Sequence, residues 1–328
     1  MDAIQGKTFL ITGGFSLVGS HIAQQLLDGG AARVVLLDNG AVGSAASVQE
    51  FRGDARVEVV KADILRIDAL LQALEGIDGV FHTAFFITMP LAHDLWTGMD
   101  VNVRGLMNVL EACRWQKVRR FVFSSSIAAY GHPREEVVTE GAGFQAEGMK
   151  PAAALYGAAK VMGEQLCAYY RERYGIGFAS LRYSTVYGER QHQRGMHVIA
   201  MVAAYQAARQ QQQSLVIQGD GQDRHDYVYA GDVARANLLA MQSGLQGESY
   251  TIATGVSVPV SEVVRLVLQA CGSSLQPQYT HAAADNPNAY QSVPRFDISK
   301  AQAGLGWTPA TPLEVGLRRL VAWFDAQQ

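Results

Sequence analysis

The chain has few cysteines, little net charge and no long apolar run, and each shortage excludes a class of protein. Its three cysteines, Cys113, Cys167 and Cys271, have no metal-ligand spacing and are expected to be reduced residues of a cytoplasmic protein. A formal net charge of −3 argues against nucleic acid or an anionic membrane as a partner. No apolar stretch approaches the roughly 20 residues that cross a bilayer, and residues 1–7 lack a signal-peptide pattern.

The first half of the sequence alternates short apolar runs with amphipathic stretches. This alternation predicts a doubly wound α/β fold, with a parallel sheet covered by helices on both faces. Predicted strands occupy residues 8–12, 33–38, 57–60, 79–83, 120–125 and 177–183. Predicted helices occupy residues 18–27, 67–74, 101–115 and 155–174.

The alternation loosens after residue 184. Helices are predicted over residues 196–209, 231–241 and 260–271 and from Pro312, with a strand over residues 214–218. We therefore divide the chain into a main domain, residues 1–184, and a smaller α/β lobe, residues 185–328. Some segments of the lobe are expected to return to the main sheet.

A glycine-rich turn follows the first predicted strand. Gly13 and Gly14 leave room for a tight turn and a pyrophosphate, and Gly19 lets the next helix pack close to the sheet. The start of that helix offers amide donors and a favourable dipole for phosphate. Asp38 ends the second strand, 19 residues after Gly19, where a carboxylate suits ribose hydroxyls and repels a 2′-phosphate. The pattern predicts a Rossmann-like domain that binds NAD in preference to NADP.

A tyrosine and a lysine share one face of a later helix. Tyr156 and Lys160 stand at i and i+4, and an ammonium beside a phenol is expected to lower the tyrosine pKa toward neutral pH. Residues 124–126 are serines that end the fifth strand, where one hydroxyl can hold a substrate oxygen. With a nicotinamide cofactor these groups fit oxidation of a secondary alcohol. Hydride leaves the carbinol carbon while Tyr156 takes the hydroxyl proton.

These residues belong to a longer series of motifs. In chain order the series covers residues 12–19, 61–64, 80–82, 102–105, 123–126, 130–131, 156–160, 181–183, 186–188, 219–221 and 305–309. Over essentially its whole length, the chain resembles an extended short-chain dehydrogenase/reductase of the NAD-dependent epimerase and dehydratase group. The resemblance implies a homodimer formed through helices 97–116 and 154–174.

The resemblance also implies roles for particular residues. Tyr156 is the base, Lys160 holds the nicotinamide ribose and Ser126 is the partner hydroxyl. Besides Tyr156 and Lys160, we expect cofactor contacts from Gly13, Phe15, Ser16, Leu17, Val18, Asp38, Asn39, Asp63, Ile64, Thr83, Ala84, Asn102, Ser124, Tyr183, Ser184 and Val186.

The sequence departs from the group's pattern mainly where the substrate is held. Thr185 stands where many sugar-nucleotide enzymes have asparagine, although some uronic-acid nucleotide epimerases also have threonine. His225 stands where arginine is frequent, with Arg224 one position earlier, and this spacing resembles the 3β-hydroxysteroid dehydrogenase branch. Ser16 replaces a frequent glycine in the cofactor turn, where some loss of cofactor contact is expected. Candidate substrate residues are Ser126, Thr185, Arg190, Arg194, Arg224, His225 and Arg295.

Three functions fit these observations. The leading one is a sugar-nucleotide 4-epimerase that forms a transient 4-keto intermediate and returns hydride to it. The first alternative is an NAD-dependent dehydrogenase or reductase of a non-nucleotide alcohol or ketone, favoured by the missing phosphate contacts and the apolar residues 85–91. The second is a non-catalytic NAD-binding sensor. Dehydration is disfavoured because Ile127 and Ala128 stand where an Asp-Glu pair is typical.

Overall fold

The apolar runs of the first half form one parallel sheet. The computed structural model describes residues 4–51, 53–191, 198–280 and 294–327. In chain order its strands are β1 (Thr8–Thr12), β2 (Arg33–Asp38), β3 (Val57–Lys61), β4 (Gly79–His82), β5 (Arg120–Ser126), β6 (Val137–Val138), β7 (Gly177–Tyr183), β8 (Thr185–Tyr187), β9 (Leu215–Gln218), β10 (Arg224–His225), β11 (Tyr227–Tyr229), β12 (Gln246–Ile252), β13 (Val258–Pro259), β14 (Pro277–Thr280) and β15 (Arg295–Phe296).

Helices alternate with these strands. They are α1 (Leu17–Asp28), α2 (Ile67–Ala73), α3 (Thr88–His93), α4 (Leu95–Met99), α5 (Leu106–Trp115), α6 (Pro151–Tyr174), α7 (Ile199–Arg209), α8 (Ala230–Gln242), α9 (Val260–Ala270), α10 (Ser299–Leu305) and α11 (Leu313–Ala326). In addition, 3₁₀ turns cover Ala45–Phe51 and Ile127–Tyr130, and a π-helical turn covers Asp100–Gly105. Within the described ranges no helix is both long and apolar enough to cross a membrane.

Seven of the strands form the main sheet, in the order β12-β7-β5-β4-β1-β2-β3. Alternate residues of each strand pack on opposite faces, which explains why the inner strands are largely apolar, whereas the edge strands β3 and β12 carry exposed polar residues. Phe9 and Ile11 of β1 belong to the core under α1 and α8, whereas Leu10 belongs to the core under α5 and α6. The predicted α/β fold with a doubly wound parallel sheet is confirmed.

The strand order also shows where a ligand can enter. The chain runs outward from β1 to β3 and then crosses back to β4, which lies on the other side of β1. The two halves therefore diverge between β1 and β4, and a crevice opens there at the carboxyl ends of the strands. The glycine turn after β1 and the serines at the end of β5 both lie at this edge.

The sequence-predicted elements differ from the structure at helix ends, and the edge strand β12 and helix α10 were not predicted. The helix predicted over residues 101–115 is interrupted, because residues up to Gly105 adopt the π-helical turn. α6 begins at Pro151 rather than at residue 155, since a proline with its fixed φ fits the first turn of a helix. The predicted start of α7 at Met196 lies outside the described residues, and the helix begins at Ile199.

The second half of the chain divides between the sheet and a separate core. α8 packs beside α1, and β12 pairs with β7 as the edge strand of the main sheet. A second core joins α7, α9 and α11 to the strand pair β9–β14. Three further two-stranded pairings, β8–β11, β10–β13 and β6–β15, connect this part of the chain to the edge of the crevice.

Candidate functional site

The turn between β1 and α1 contains glycine positions where any side chain would collide with neighbouring atoms. Gly13 has a φ of 69°, and a Cβ on it would lie 2.8 Å from both Thr83 Oγ1 and the backbone N of Ala84. A Cβ on Gly19 would lie 2.4 Å from the carbonyl oxygen of Gly13. The first turn of α1 therefore approaches the end of β1 closely enough to leave a cradle of backbone N–H groups for a phosphate.

Ser16 has a structural role at the start of α1. Its backbone is extended, with a φ of −74° and a ψ of 164°, so this position does not need a glycine. Its hydroxyl accepts the N–H of Gly19 at 3.0 Å and lies 3.1 Å from Thr83 Oγ1. This cap uses one of the N–H groups that a helix start would otherwise offer to an anion.

Asp38 lies at the carboxyl end of β2, next to the glycine turn. Its Oδ2 accepts the N–H of Phe15 at 3.0 Å, and its Oδ1 accepts the N–H of Gly40 at 2.8 Å. At the ends of β2 and β3, Asn39 donates to Asp63 at 2.9 Å. The carboxylates and the glycine cradle fit the two ends of a dinucleotide, the ribose and the pyrophosphate.

The other predicted cofactor residues of the first half line or support the same crevice. Phe15 and Leu17 are buried, while Val18 packs against the core under α1. Thr83 donates to the Thr12 carbonyl oxygen at 2.7 Å, and the next residue, Ala84, lies against Gly13.

Ile64 and Asn102 act mainly as supports. Ile64 is buried where a Cβ on Gly105 would lie 2.6 Å from its side chain. Asn102 is buried in the π-helical turn; its amide accepts the N–H of Phe86 at 2.7 Å and donates to the carbonyl oxygen of the same residue at 2.9 Å. Asn102 thus fixes the loop that follows β4.

Ser126 and Tyr156 meet where β5 ends against the start of α6. The two hydroxyl groups are hydrogen-bonded to each other, and Ser126 Oγ also accepts the N–H of Ala128 at 3.2 Å. Gly157 makes this approach possible, since a Cβ there would lie 2.3 Å from the carbonyl oxygen of Ala128. The predicted base and its predicted partner hydroxyl are therefore brought together.

Lys160 lies one helical turn further along α6 and is 3% exposed. Its ammonium donates to the carbonyl oxygen of Ser124 at 2.7 Å and lies 3.4 Å from the ring centre of Phe85. The distance from Nζ to the ring centre of Tyr156 is 5.7 Å. Burial lowers the pKa of Lys160 well below its usual range, and the charge of Glu164 raises it in part.

The expectation of a lowered Tyr156 pKa is wrong for this structure. Burial raises the pKa of Tyr156 to about 12, although the hydrogen bond with Ser126 lowers it. The i, i+4 spacing predicts that the Lys160 charge stabilises the Tyr156 phenolate directly. In the structure, the Lys160 ammonium contacts Ser124 and Phe85 instead. Removal of water from the phenol outweighs the more distant ammonium.

A buried ion pair that the sequence analysis missed lies beneath Lys160. Arg182 donates two bonds to Glu164, from Nε at 2.9 Å and from Nη2 at 2.6 Å. Ser125 and Ser249 also donate to the Glu164 carboxylate, at 2.6 and 3.3 Å. Glu164 follows Lys160 by one more i, i+4 step, and that spacing was the available signal.

The polar residues that end β7 are committed to internal contacts. The Tyr183 hydroxyl lies 3.1 Å from Ser124 Oγ and 2.8 Å from the side-chain nitrogen of Asn237, a buried residue that the sequence analysis missed. Ser184 donates to Asp226 at 3.0 Å, so its hydroxyl links the end of β7 to the lobe. Val186 lies on β8 and packs against the main core.

The candidate substrate residues are not brought together as one cluster. Thr185 is buried on β8 and Ser126 lies beside Tyr156, whereas Arg190 is bound away from both. The Arg190 guanidinium donates to the Ser20 carbonyl oxygen at 3.1 Å and pairs with Glu50. Arg190 therefore joins the lobe to α1, a packing role that the sequence analysis did not anticipate.

The lobe places the other candidates on two short strand pairs. On β10, Arg224 is exposed and donates to the carbonyl oxygen of Ser257, while His225 is 2% exposed. The two side chains therefore face opposite ways, as their extended backbone predicts. Arg295 is exposed on β15 beside β6. Arg194 lies outside the described residues.

The apolar residues after β4 divide between the surroundings of Lys160, the core and the surface. The ring centre of Phe85 lies 3.4 Å from Lys160 Nζ and 6.0 Å from the ring centre of Tyr156. Leu91 is buried, whereas Ile87 and Met89 are exposed. His82 is a core residue, stacked between two phenylalanines and bonded to Thr12 at 2.8 Å.

Comparisons with known proteins show the family of this chain. The sequence matches the NAD dependent epimerase/dehydratase family over residues 9–253. It is 33% identical over 319 residues to a putative UDP-glucose 4-epimerase of Methanocaldococcus jannaschii, covering 96% of this chain and 97% of the relative.

Solved structures show the same similarity. A UDP-glucose 4-epimerase of Thermotoga maritima, solved with UDP-glucose, has a TM-score of 0.85 at 28% identity, covering 98% of this chain and 99% of the other. A UDP-glucose 4-epimerase of Thermus thermophilus, solved with NAD, has a TM-score of 0.83 at 29% identity, covering 98% and 100%. This chain belongs to the NAD-dependent epimerase/dehydratase family and is an NAD-dependent enzyme of the extended short-chain dehydrogenase/reductase type.

Proposed function

We propose that this protein is a UDP-sugar 4-epimerase. The observation that carries the proposal is the contact between the Tyr156 phenol and Ser126 at the end of β5, at the same edge of the sheet as the glycine turn. The relatives that share the chain's full length and bear this name support the same reaction. The alternative dehydrogenase and sensor functions are not favoured by these relatives.

The chain's own residues can perform the proton transfers of such a reaction. Ser126 would hold the oxygen of the substrate's 4-hydroxyl while Tyr156 takes its proton. After the 4-keto intermediate has rotated in the site, the same phenol would return the proton. When bound, NAD supplies the acceptor and donor of hydride and, in its oxidised form, a positive charge that favours the phenolate. Lys160, held against Ser124, would support the nicotinamide ribose.

The lobe would bind the nucleotide part of the substrate. We assign residues 1–184 to NAD binding and residues 185–328 mainly to the substrate, with α8 and β12 returning to the sheet. Thr185 and His225 lie on the short strands β8 and β10 of the lobe and remain our candidates for the sugar and diphosphate. Arg224 and Arg295 are exposed cations, and we propose that they bind the diphosphate.

The proposal is tested by two assays on the purified protein. The first releases and quantifies NAD(H) after denaturation with no cofactor added, and near-stoichiometric NAD is expected because hydride must return to the same substrate. The second follows the interconversion of UDP-glucose and UDP-galactose, with UDP-glucuronic acid as a further substrate. Net NADH production from a simple secondary alcohol, without epimerisation of any UDP-sugar, would overturn the proposal.

We expect NAD to bind at least about tenfold more tightly than NADP, which corresponds to about 1.4 kcal/mol. The Asp38 carboxylate lies beside the glycine turn, held by two backbone N–H groups, and would repel a 2′-phosphate. Fluorescence titration of cofactor-stripped enzyme with NADH and NADPH measures both affinities. Tighter binding of NADPH would contradict the role given to Asp38.

We also propose a cytoplasmic homodimer. Leu155, Met162 and Tyr169 recur every seven residues on α6, and each is more than a third exposed. Met107 of α5 extends this apolar surface, which resembles one half of a helix bundle. The buried thiols of Cys113 and Cys167 are reduced, as suits the cytoplasm.

Met162→Glu is expected to convert the dimer into a monomer, because a charge in the centre of an apolar helix interface is costly to bury. Light scattering coupled to gel filtration measures the mass. Val216→Glu is the matched control, since Val216 is a similarly exposed apolar residue on β9 of the lobe. An unchanged mass for Met162→Glu would place the interface elsewhere.

A further inference from the structure

The ammonium of Lys160 is covered by an aromatic ring that the mechanism has not used. Its Nζ lies 3.4 Å from the ring centre of Phe85, compared with 5.2 Å for Phe123 and 5.7 Å for Tyr156. A cation directly over a ring face is attracted by the electrons of that face, and the attraction is strongest where water is excluded. Lys160 is 3% exposed, so this contact replaces part of the hydration that the ammonium has lost.

The position of the Phe85 ring is fixed from two sides. The buried side-chain amide of Asn102 is hydrogen-bonded to both the backbone N–H and the carbonyl oxygen of the neighbouring Phe86. The ring itself packs edge-on against Phe123, at 6.2 Å, and against Tyr156, at 6.0 Å. Phe85 therefore cannot leave the ammonium without a change in the loop that follows β4.

The other charged and titratable groups around Lys160 give it limited support. Glu164 of α6 is the carboxylate that acts on the ammonium, but both of its oxygens already accept bonds from Arg182 of β7. His82 of β4 is neutral, because burial lowers its pKa to about 3. Tyr156 is protonated at neutral pH, since burial raises its pKa to about 12. Among the residues that the structure describes, the closest contacts of the ammonium are thus the Ser124 carbonyl oxygen and the Phe85 ring.

We propose that Phe85 is a positioning residue whose ring face keeps Lys160 charged beside Tyr156, and so sets the upper end of the pH range in which the enzyme works. The inference rests on the proposed function in one respect, namely that Tyr156 is the base that the Lys160 charge assists. It makes Phe85 part of the proton-transfer machinery by way of Lys160 and assigns it no contact with substrate.

The direction of the effect follows from which protonation states the ring stabilises. The ring favours every state in which Lys160 is charged, whether Tyr156 is protonated or ionised. Loss of the ring therefore leaves the acidic side of the pH–rate profile unchanged, because Lys160 is charged there in any case. In the NAD-loaded enzyme, where the positive charge of oxidised NAD favours the phenolate, Tyr156 would ionise before Lys160 loses its proton. The upper end of the profile then moves to lower pH by about one unit, since Lys160 loses its proton earlier.

The test compares Phe85→Leu and Phe85→Met with Phe85→Tyr in the NAD-loaded enzyme. Leucine and methionine fill much of the same space without a ring face, and either suffices if the other fails to fold; tyrosine retains the face. Profiles of kcat against pH are measured with a UDP-sugar substrate. The chain contains six lysines, so selective ε-¹³C-lysine labelling, with Lys160→Arg for assignment, gives the pKa of Lys160 directly and without any substrate.

We expect the pKa of Lys160 and the upper end of the profile to fall by about one unit in Phe85→Leu and Phe85→Met, with Phe85→Tyr close to the unsubstituted enzyme. An unchanged Lys160 pKa in both aliphatic variants, or an equal loss of rate at every pH, would overturn the proposal. If no UDP-sugar is epimerised, the proposed function fails while the NMR titration still decides the role of Phe85.

Discussion

Tyr156→Phe is expected to lower kcat by about three orders of magnitude, the usual range for loss of a positioned general base being about 10²- to 10⁴-fold. The substitution removes the hydroxyl that bonds to Ser126 and leaves the ring that packs against Phe85. In our proposal the glycine turn and Asp38 hold NAD, so the cofactor content should change little. Steady-state epimerisation kinetics and NAD released on denaturation measure the two quantities separately.

Tyr169→Phe provides the matched control for this experiment. Tyr169 lies on the same helix, α6, but its side chain is 55% exposed and far along the helix from Ser126. The control variant should retain nearly full activity. A Tyr156→Phe enzyme with turnover close to that of the unsubstituted enzyme would remove Tyr156 from the mechanism and revive the sensor function.

Arg182→Met is expected to lower the free energy of unfolding by about 3–5 kcal/mol, the cost of leaving one member of a buried ion pair alone. The side chains of Arg182 and Glu164 are 11% and 7% exposed, and two bonds of 2.9 and 2.6 Å join them. Without Arg182 the Glu164 carboxylate is buried with two serine hydroxyls as its remaining described donors. Urea denaturation measures the change.

A second substitution separates the ion pair from general packing. Glu164→Leu combined with Arg182→Met removes both charges, and it should recover much of the lost stability because no uncompensated charge remains. Arg66→Met is the surface control, since Arg66 pairs with Asp68 where both side chains are well exposed. A double variant no more stable than Arg182→Met alone would show that shape, rather than charge, sets the cost.

The parts of the site that could be predicted from sequence are those that depend on chain-local geometry. The glycine turn needs a positive φ at Gly13 and a close backbone approach at Gly19, and such needs leave few choices of residue. The six strands β1 to β5 and β7 were predicted to within one residue because buried strands are largely apolar, whereas the edge strand β12, which begins with exposed polar residues, was not predicted. Tyr156 and Lys160 were found because helical spacing places them on one face.

The parts that could not be predicted depend on which segments meet in space. Nothing in the sequence around Phe85 shows that its ring covers an ammonium 75 positions later. The fit of Arg190 against α1 likewise joins residues that are distant in the chain. The raised pKa of Tyr156 depends on how completely the folded chain removes water, and a spacing of four residues carries no information about that.

The close contact between Gly157 and the Ala128 carbonyl limits which parts of this enzyme can be changed by mutation. Because the backbone of α6 touches the carbonyl of Ala128, the base and its partner hydroxyl are fixed relative to each other by main chain rather than by side chains. A mutation that widened this gap would disturb both groups at once. The proposed acid–base pair, Tyr156 and Ser126, is therefore a rigid part of the scaffold, and an engineer seeking a different sugar should diversify the strands β8 and β10 instead.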